Sequence, residues 1–182
     1  MKRRHFLARS GFALVAGWTR KLWAQSASIR YRPLTRPVVL PLEDLSSPWR
    51  SRPFVAEAVT LASAANPNQP VRISGMVVRT AVSGAARPDQ FCALCVKCPH
   101  EHCDSDYVRD PKSLPAEVLQ EIGKPLQDPV YVCPCHNSTF RADDGDRLAG
   151  PAPRGLYRFR VTNVTGTNVE IGEVEEDVLI FF

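Results

Sequence analysis

Residues 95–107 read "CVKCPHEHCDSDY", three cysteines and two histidines within thirteen positions. Thiolates and imidazoles bind soft and borderline metals, and thiols also pair with one another. A second knot, "CPCH" at 133–136, adds two cysteines and a histidine, so that all six cysteines of the chain fall within 92–103 and 133–136. A disulfide framework spreads its cysteines along the chain; clustering them with histidine points to metal.

Cys98 and His100 are separated by one residue and Cys133 and His136 by two, so each knot can present one thiolate and one imidazole from a tight loop. That donor set suits two different centres. One is a tetrahedral zinc site; the other is a two-iron, two-sulfide cluster in which the cysteines hold one iron and the histidines the other. Cys103 and Cys135 place one further thiol beside these donors in each knot. The run Cys92-x-x-Cys95-x-x-Cys98 imitates part of a four-iron ferredoxin motif but lacks its fourth cysteine. On a strand Cys92 and Cys95 point to opposite faces, which argues against a mutual disulfide and for buried, inert thiols.

The elements that must position these knots are short and β-prone. "FVAEAVTLA", "VRISGMVVRT", "FCALCVKC", "VYVC", "LYRFRVTNV", "NVEIGEV" and "VLIFF" alternate or carry β-branched residues, and "NVTGTNVE" reads as a hairpin turn. Tyr157, Phe159 and Val161 share one strand face and Arg158 and Arg160 the other. The class is all-β and antiparallel. One segment departs from it: "KSLPAEVLQEIGKPL" carries Leu114, Val118, Leu119 and Ile122 at helical spacing, with Ser113 as N-cap and Gly123 as stop. This predicts a short helix inserted between the two knots, structural rather than catalytic. Over residues 25–53, Pro33, Pro37, Pro41, Pro48 and Pro53 forbid helix and predict an extended arm, a linker or a strap over a partner.

The formal charge of +4 is misleading as a whole-chain value. Six of the 23 basic residues lie in the first 24, where there is no acid, leaving 17 basic against 19 acidic residues in the body. Nothing there suggests a track for nucleic acid. The start, "MKRRHFLARSGFALVAGWTRKLWAQSAS", has a basic head, a weakly apolar stretch and small residues suited to cleavage, the pattern of an export signal. "KRRHFL" resembles the twin-arginine signal, a route that carries proteins already folded, often with a cofactor in place. The apolar run Gly11–Trp18 is eight residues, whereas a spanning helix needs about 20. Residues 1–24 are therefore read as a signal or a weak N-terminal anchor, and His5 belongs to it.

"CPHEHC" and "CPCHNS" resemble the two cluster-binding boxes of Rieske iron-sulfur proteins, C-x-H-x-x-C and C-x-C-H-x-S, and "GPAP" at 150–153 is similar to the proline-rich loop that covers the cluster in that family. The three occur in the family's order, and the resemblance spans roughly 54–182. It implies a Rieske-type antiparallel β-sandwich with a small cluster-binding subdomain at about 91–153 and a [2Fe-2S] cofactor. By that resemblance Cys98 and Cys133 bind one iron, His100 and His136 bind the other, and Cys103 and Cys135 form a disulfide. His102 matches no ligand position and reads as a polar loop residue. The family also places a serine and a tyrosine hydroxyl after the second box to stabilise the cluster; the serine is present as Ser138, while the tyrosine position holds Phe140. Two hydroxyl donors reduced to one predict a reduction potential above ordinary ferredoxins but below Rieske centres with both.

The functional expectation is electron transfer as the Rieske subunit of a bacterial cytochrome bc-type complex. There His100 and His136 would be the catalytic pair: one exposed imidazole takes a proton from quinol while the cluster takes an electron, and the electron passes on to a c-type cytochrome. The implied partners are cytochrome b, a c-type cytochrome, quinol and a membrane-associated complex on the periplasmic side of the cytoplasmic membrane. Two alternatives are the small Rieske subunit of an exported molybdenum oxidoreductase of the arsenite-oxidase type and a ferredoxin serving an oxygenase. The 32-residue interval between His100 and Cys133 is longer than the family's usual one, and Glu101 and His102 stand where quinol-oxidising members commonly carry an apolar residue and glycine.

Overall fold

The strand Phe91–Cys95 divides its side chains between two cores. Phe91, Ala93 and Cys95 enter one, Cys92 and Leu94 the other, as the two-residue period of a strand buried on both faces requires. The computed structural model describes residues 29–60, 70–176 and 178. The expected signal at 1–24 lies outside them, as does most of "VLIFF". Among the described residues no helix is long and apolar enough to cross a membrane.

In chain order the strands are β1 (Tyr31–Pro41), β2 (Ser51–Thr60), β3 (Pro70–Arg79), β4 (Phe91–Cys95), β5 (Asp106–Val108), β6 (Val130–Val132), β7 (Thr139–Arg141), β8 (Arg147–Ala149), β9 (Arg158–Val164) and β10 (Asn168–Glu175), with helix α1 (Ala116–Ile122) between β5 and β6. Six form one sheet in the order β1-β10-β9-β4-β3-β2, and four form a second in the order β5-β6-β7-β8. Every pairing is antiparallel. The large sheet curls until its edge strands β1 and β2 touch, a near-barrel around Leu45, Ile73, Val77, Phe159 and Ile171. Tyr157, Phe159 and Val161 face this core as their alternation predicts, while Arg158 and Arg160 form ion pairs with Asp146 and Glu173. The chain leaves the large sheet after β4, builds the small sheet, and returns as β9 beside β4. The functional loops therefore hang from two neighbouring strands of a rigid platform.

Two expectations change. The extended arm is extended, but residues 31–41 are β1, paired to β10 as an edge strand, and Leu34 and Leu45 are buried in the large core. Proline is tolerated there because only one side of an edge strand must donate hydrogen bonds. The helix is present but starts later. Ser113 ends a 3-10 turn capped by the Asp110 side chain, which accepts from Lys112 N–H at 3.0 Å, and Pro115 precedes the first helical residue. Gly123 terminates the helix with φ +69°, as expected of a C-terminal glycine.

Candidate metal centre

The knots are two copies of one backbone turn. In the first, Cys98 N–H donates to the Cys103 carbonyl at 2.9 Å and His102 N–H to the Cys98 carbonyl at 2.9 Å. In the second, Cys133 N–H donates to the Ser138 carbonyl at 2.8 Å and Asn137 N–H to the Cys133 carbonyl at 2.9 Å. Each turn closes through a left-handed residue, His102 at φ 59° and Asn137 at φ 57°. Both types tolerate that conformation better than most residues do. His102, read as a polar loop residue, thus has a backbone role. The repeated Cys-Pro pair of "CPHEHC" and "CPCHNS" was the signal that could have revealed it.

The turns are bound to each other by a disulfide between Cys103 and Cys135, which spans 32 residues. It brings Cys98 and Cys133 into one buried cluster with Tyr131, Phe140, Ala152 and Leu156. Burial pushes the Cys98 thiol up, and the neighbouring Cys133 sulfur pushes it further, against opposing hydrogen bonds from the His100 backbone and the Ser138 hydroxyl. A buried Cys98 thiol that resists ionising beside a second buried sulfur is eased by a cation between them. His100 and His136 project toward solvent with ring centroids 4.9 Å apart at 80°. The His136 side chain is 46% exposed.

These donors do not close on one point. Among the described residues, the Cys133 sulfur groups within 4.8 Å with those of Cys103 and Cys135, while His100, His136 and Glu101 form a separate group of the same span. A buried sulfur pole and an exposed imidazole pole fit a two-iron, two-sulfide centre, where a single tetrahedral ion would draw all four donors together. Cys92 and Cys95 take no part. Both are free thiols, pushed up to about 12, chiefly by burial.

Around the poles, the Ser138 hydroxyl acts to hold the Cys98 thiol down against burial, and its oxygen accepts from Ala152 N–H of the proline loop at 3.1 Å. Phe140, fully buried in the same cluster, offers no hydroxyl. Its cross-strand partner Tyr131 does not replace it: among the described residues that hydroxyl has no hydrogen-bond partner, and the titratable groups near it are Cys92 and Tyr107. Glu101 lies at the tip with a carboxylate oxygen 3.6 Å from His136 Nδ1. In the repeat it occupies the place that His136 holds in the second turn.

No curated protein matches the chain. The crystal structure of the cyanobacterial plasma membrane Rieske protein PetC3 from Synechocystis PCC 6803 is similar at 24% identity and a TM-score of 0.36, over 63% of this chain and 96% of that one. The family model described as Rieske [2Fe-2S] domain matches residues 57–160. Spanning more than half of the 182 residues, and with both boxes inside it, that match means that the chain belongs to the Rieske [2Fe-2S] family, whose members transfer electrons through their cluster.

Proposed function

We propose that Cys98 and Cys133 hold one iron of the cluster and His100 and His136 the other, and that the protein is the Rieske subunit of a cytochrome bc-type quinol oxidoreductase. When bound, the cluster supplies a one-electron acceptor that imidazole ligation makes less negative, and easier to reduce, than an all-cysteine one. The observation that carries the reading is the pair of imidazoles at the exposed tip, ahead of buried sulfurs. Solvent-facing rings can meet a quinol hydroxyl; buried cysteines cannot. The ring nitrogen of His100 or His136 not engaged with iron accepts the quinol proton as the quinol gives up an electron. The disulfide keeps the two turns from parting and water from the sulfurs. A c-type cytochrome then takes the electron from the same tip, on the periplasmic side of a membrane to which the twin-arginine signal delivers the folded protein.

Glu101 favours a second reading. A carboxylate beside His136 changes what docks there, and the small subunit of an exported molybdenum oxidoreductase of the arsenite-oxidase type passes its electron between proteins without a quinol. Purification of a tagged copy from membranes separates the two. Co-purified b- and c-type haem with quinol-dependent cytochrome c reduction supports the bc-type assignment; a molybdopterin partner without haem b overturns it.

A further inference from the structure

The segment inserted between the two knots touches the loop that covers the centre. Helix α1 is seated by Val118 and Ile122 in a small core with Val130 of β6 and Ala149 of β8, so its position is fixed against the small sheet. From its last turn, Glu121 accepts from the Gly150 N–H at 3.0 Å. Arg147 Nη1 donates to the Gly150 carbonyl at 2.6 Å. Both polar groups of the first residue of the proline loop are therefore held by charged side chains, and such hydrogen bonds are the stronger kind. The far end of the loop is staked separately, by Arg154 paired to the buried Glu175 and stacked 4.1 Å over the Tyr157 ring.

Gly150 is where a small displacement would be felt. Its φ is +87°, and a Cβ built there would lie 2.4 Å from Ser138 Cα. The backbone of the loop thus rests directly on Ser138. Two residues later the Ala152 N–H donates to Ser138 Oγ at 3.1 Å, and the Ser138 carbonyl accepts from the Cys133 N–H at 2.8 Å. A continuous path runs from the inserted helix through Gly150 and Ser138 to the backbone of Cys133.

We propose that Glu121 is a positioning residue: the inserted helix clamps the proline loop onto Ser138, and so sets both where the Ser138 hydroxyl stands beside the buried sulfurs and the access of water to the cluster. The inference rests on the assignment of Cys98 as a cluster ligand. A donor to a cluster sulfur stabilises the reduced, more negative state, so a loosened loop lowers the potential.

The test compares wild type with Glu121→Ala, Glu121→Gln and, as a control on the exposed face of the same helix, Glu117→Ala, all in the cluster-loaded protein. Glu121→Ala is expected to speed amide exchange in the peptide covering 147–156 by about tenfold, the low end for one lost hydrogen bond to a charged group. It should also lower the midpoint potential in an EPR-monitored titration and shorten cluster lifetime in the presence of chelator. Glu121→Gln keeps an acceptor oxygen and should restore all three; Glu117→Ala should change none. Unchanged exchange in Glu121→Ala overturns the clamp. Faster exchange with unchanged potential and lifetime overturns its coupling to the cluster. Cys98→Ser, if it retained a full cluster, would sink the ligand assignment and leave the clamp to be judged on exchange alone.

Discussion

The turns at 98–103 and 133–138 share a backbone and differ in nearly every side chain after the first two. Both begin Cys-Pro, make the same pair of internal hydrogen bonds and close through a left-handed fifth residue. The imidazole is the third residue in one and the fourth in the other; the disulfide joins the sixth residue of one to the third of the other. One template therefore places two sulfurs symmetrically at the buried pole and leaves the exposed pole asymmetric. The fourth position of the first turn holds Glu101, directed at the histidine that occupies the matching place in the second. The lesson is that the turn fixes where the two buried sulfurs stand, whereas the unmatched residues fix the chemistry of the exposed tip.

The largest effects come from breaking what the turns share. Cys98→Ser and Cys133→Ser should each abolish the cluster, read as loss of its visible absorbance and of the EPR signal on reduction, because each sulfur is buried with no substitute donor placed alike. If one variant kept a cluster, the symmetry of the sulfur pole would be wrong. Next is the tie between the turns. Cys135→Ala opens the disulfide that spans 32 residues, and denaturant titration should show a loss of roughly 2–4 kcal/mol.

The candidate donors were legible because metal chemistry restricts residue type as well as spacing: Cys98, His100, Cys133 and His136 could be singled out as candidates before any fold was considered. The alternation in 157–161 and the glycine stop at Gly123 were legible for a similar reason, since each rests on local sterics. The role of β1 was not. Extended backbone is local, but pairing with β10 is decided by a register 127 to 144 residues away, from Pro41↔Asn168 to Tyr31↔Glu175. The start of α1 was missed because Ser113 is engaged with the Asp110 carbonyl at 2.7 Å, a competing local bond that serine offers readily. Strands β5, β7 and β8, three residues each, are too short to show a period. Glu121 reaches Gly150 across 29 residues, and no pattern within a helix reveals such a contact.

Substitutions at the left-handed residues sharpen the comparison further. His102→Val and Asn137→Val should each destabilise by about 1–2 kcal/mol, since a β-branched residue resists positive φ. His102→Asn, which imports the residue of the other turn and tolerates positive φ, should cost less than His102→Val in thermal melts of the loaded protein. A cost at only one of the two valines would show that the turns are alike in outline but not in strain. Phe140→Tyr tests the asymmetry of donors behind the second turn. A new hydroxyl bond to a cluster sulfur, at about 1 kcal/mol net, corresponds to a rise of about 40 mV in a one-electron midpoint. An unchanged midpoint would mean that the position does not face the cluster.

The smallest effect separates the loop sulfurs from the strand thiols. Cys92 and Cys95 are both pushed up to about 12, chiefly by burial, while an unfolded thiol ionises near 8.5. Because the folded value is the higher one, the native state keeps protons that the unfolded chain has lost. Stability contributed by these thiols is therefore complete below about pH 8.5 and declines as pH rises toward 12. Tyr107, pushed up to about 12, and Tyr131 act with the same sign, but only above about pH 10, where an unfolded tyrosine ionises. The interval from about pH 8.5 to 10 belongs to the thiols. Denaturation midpoints there should fall gently for wild type and less steeply for Cys92→Ala and Cys95→Ala, whatever each variant's stability at neutral pH. A slope unchanged in both variants would place these thiols in contact with solvent and remove the distinction between strand and loop cysteines.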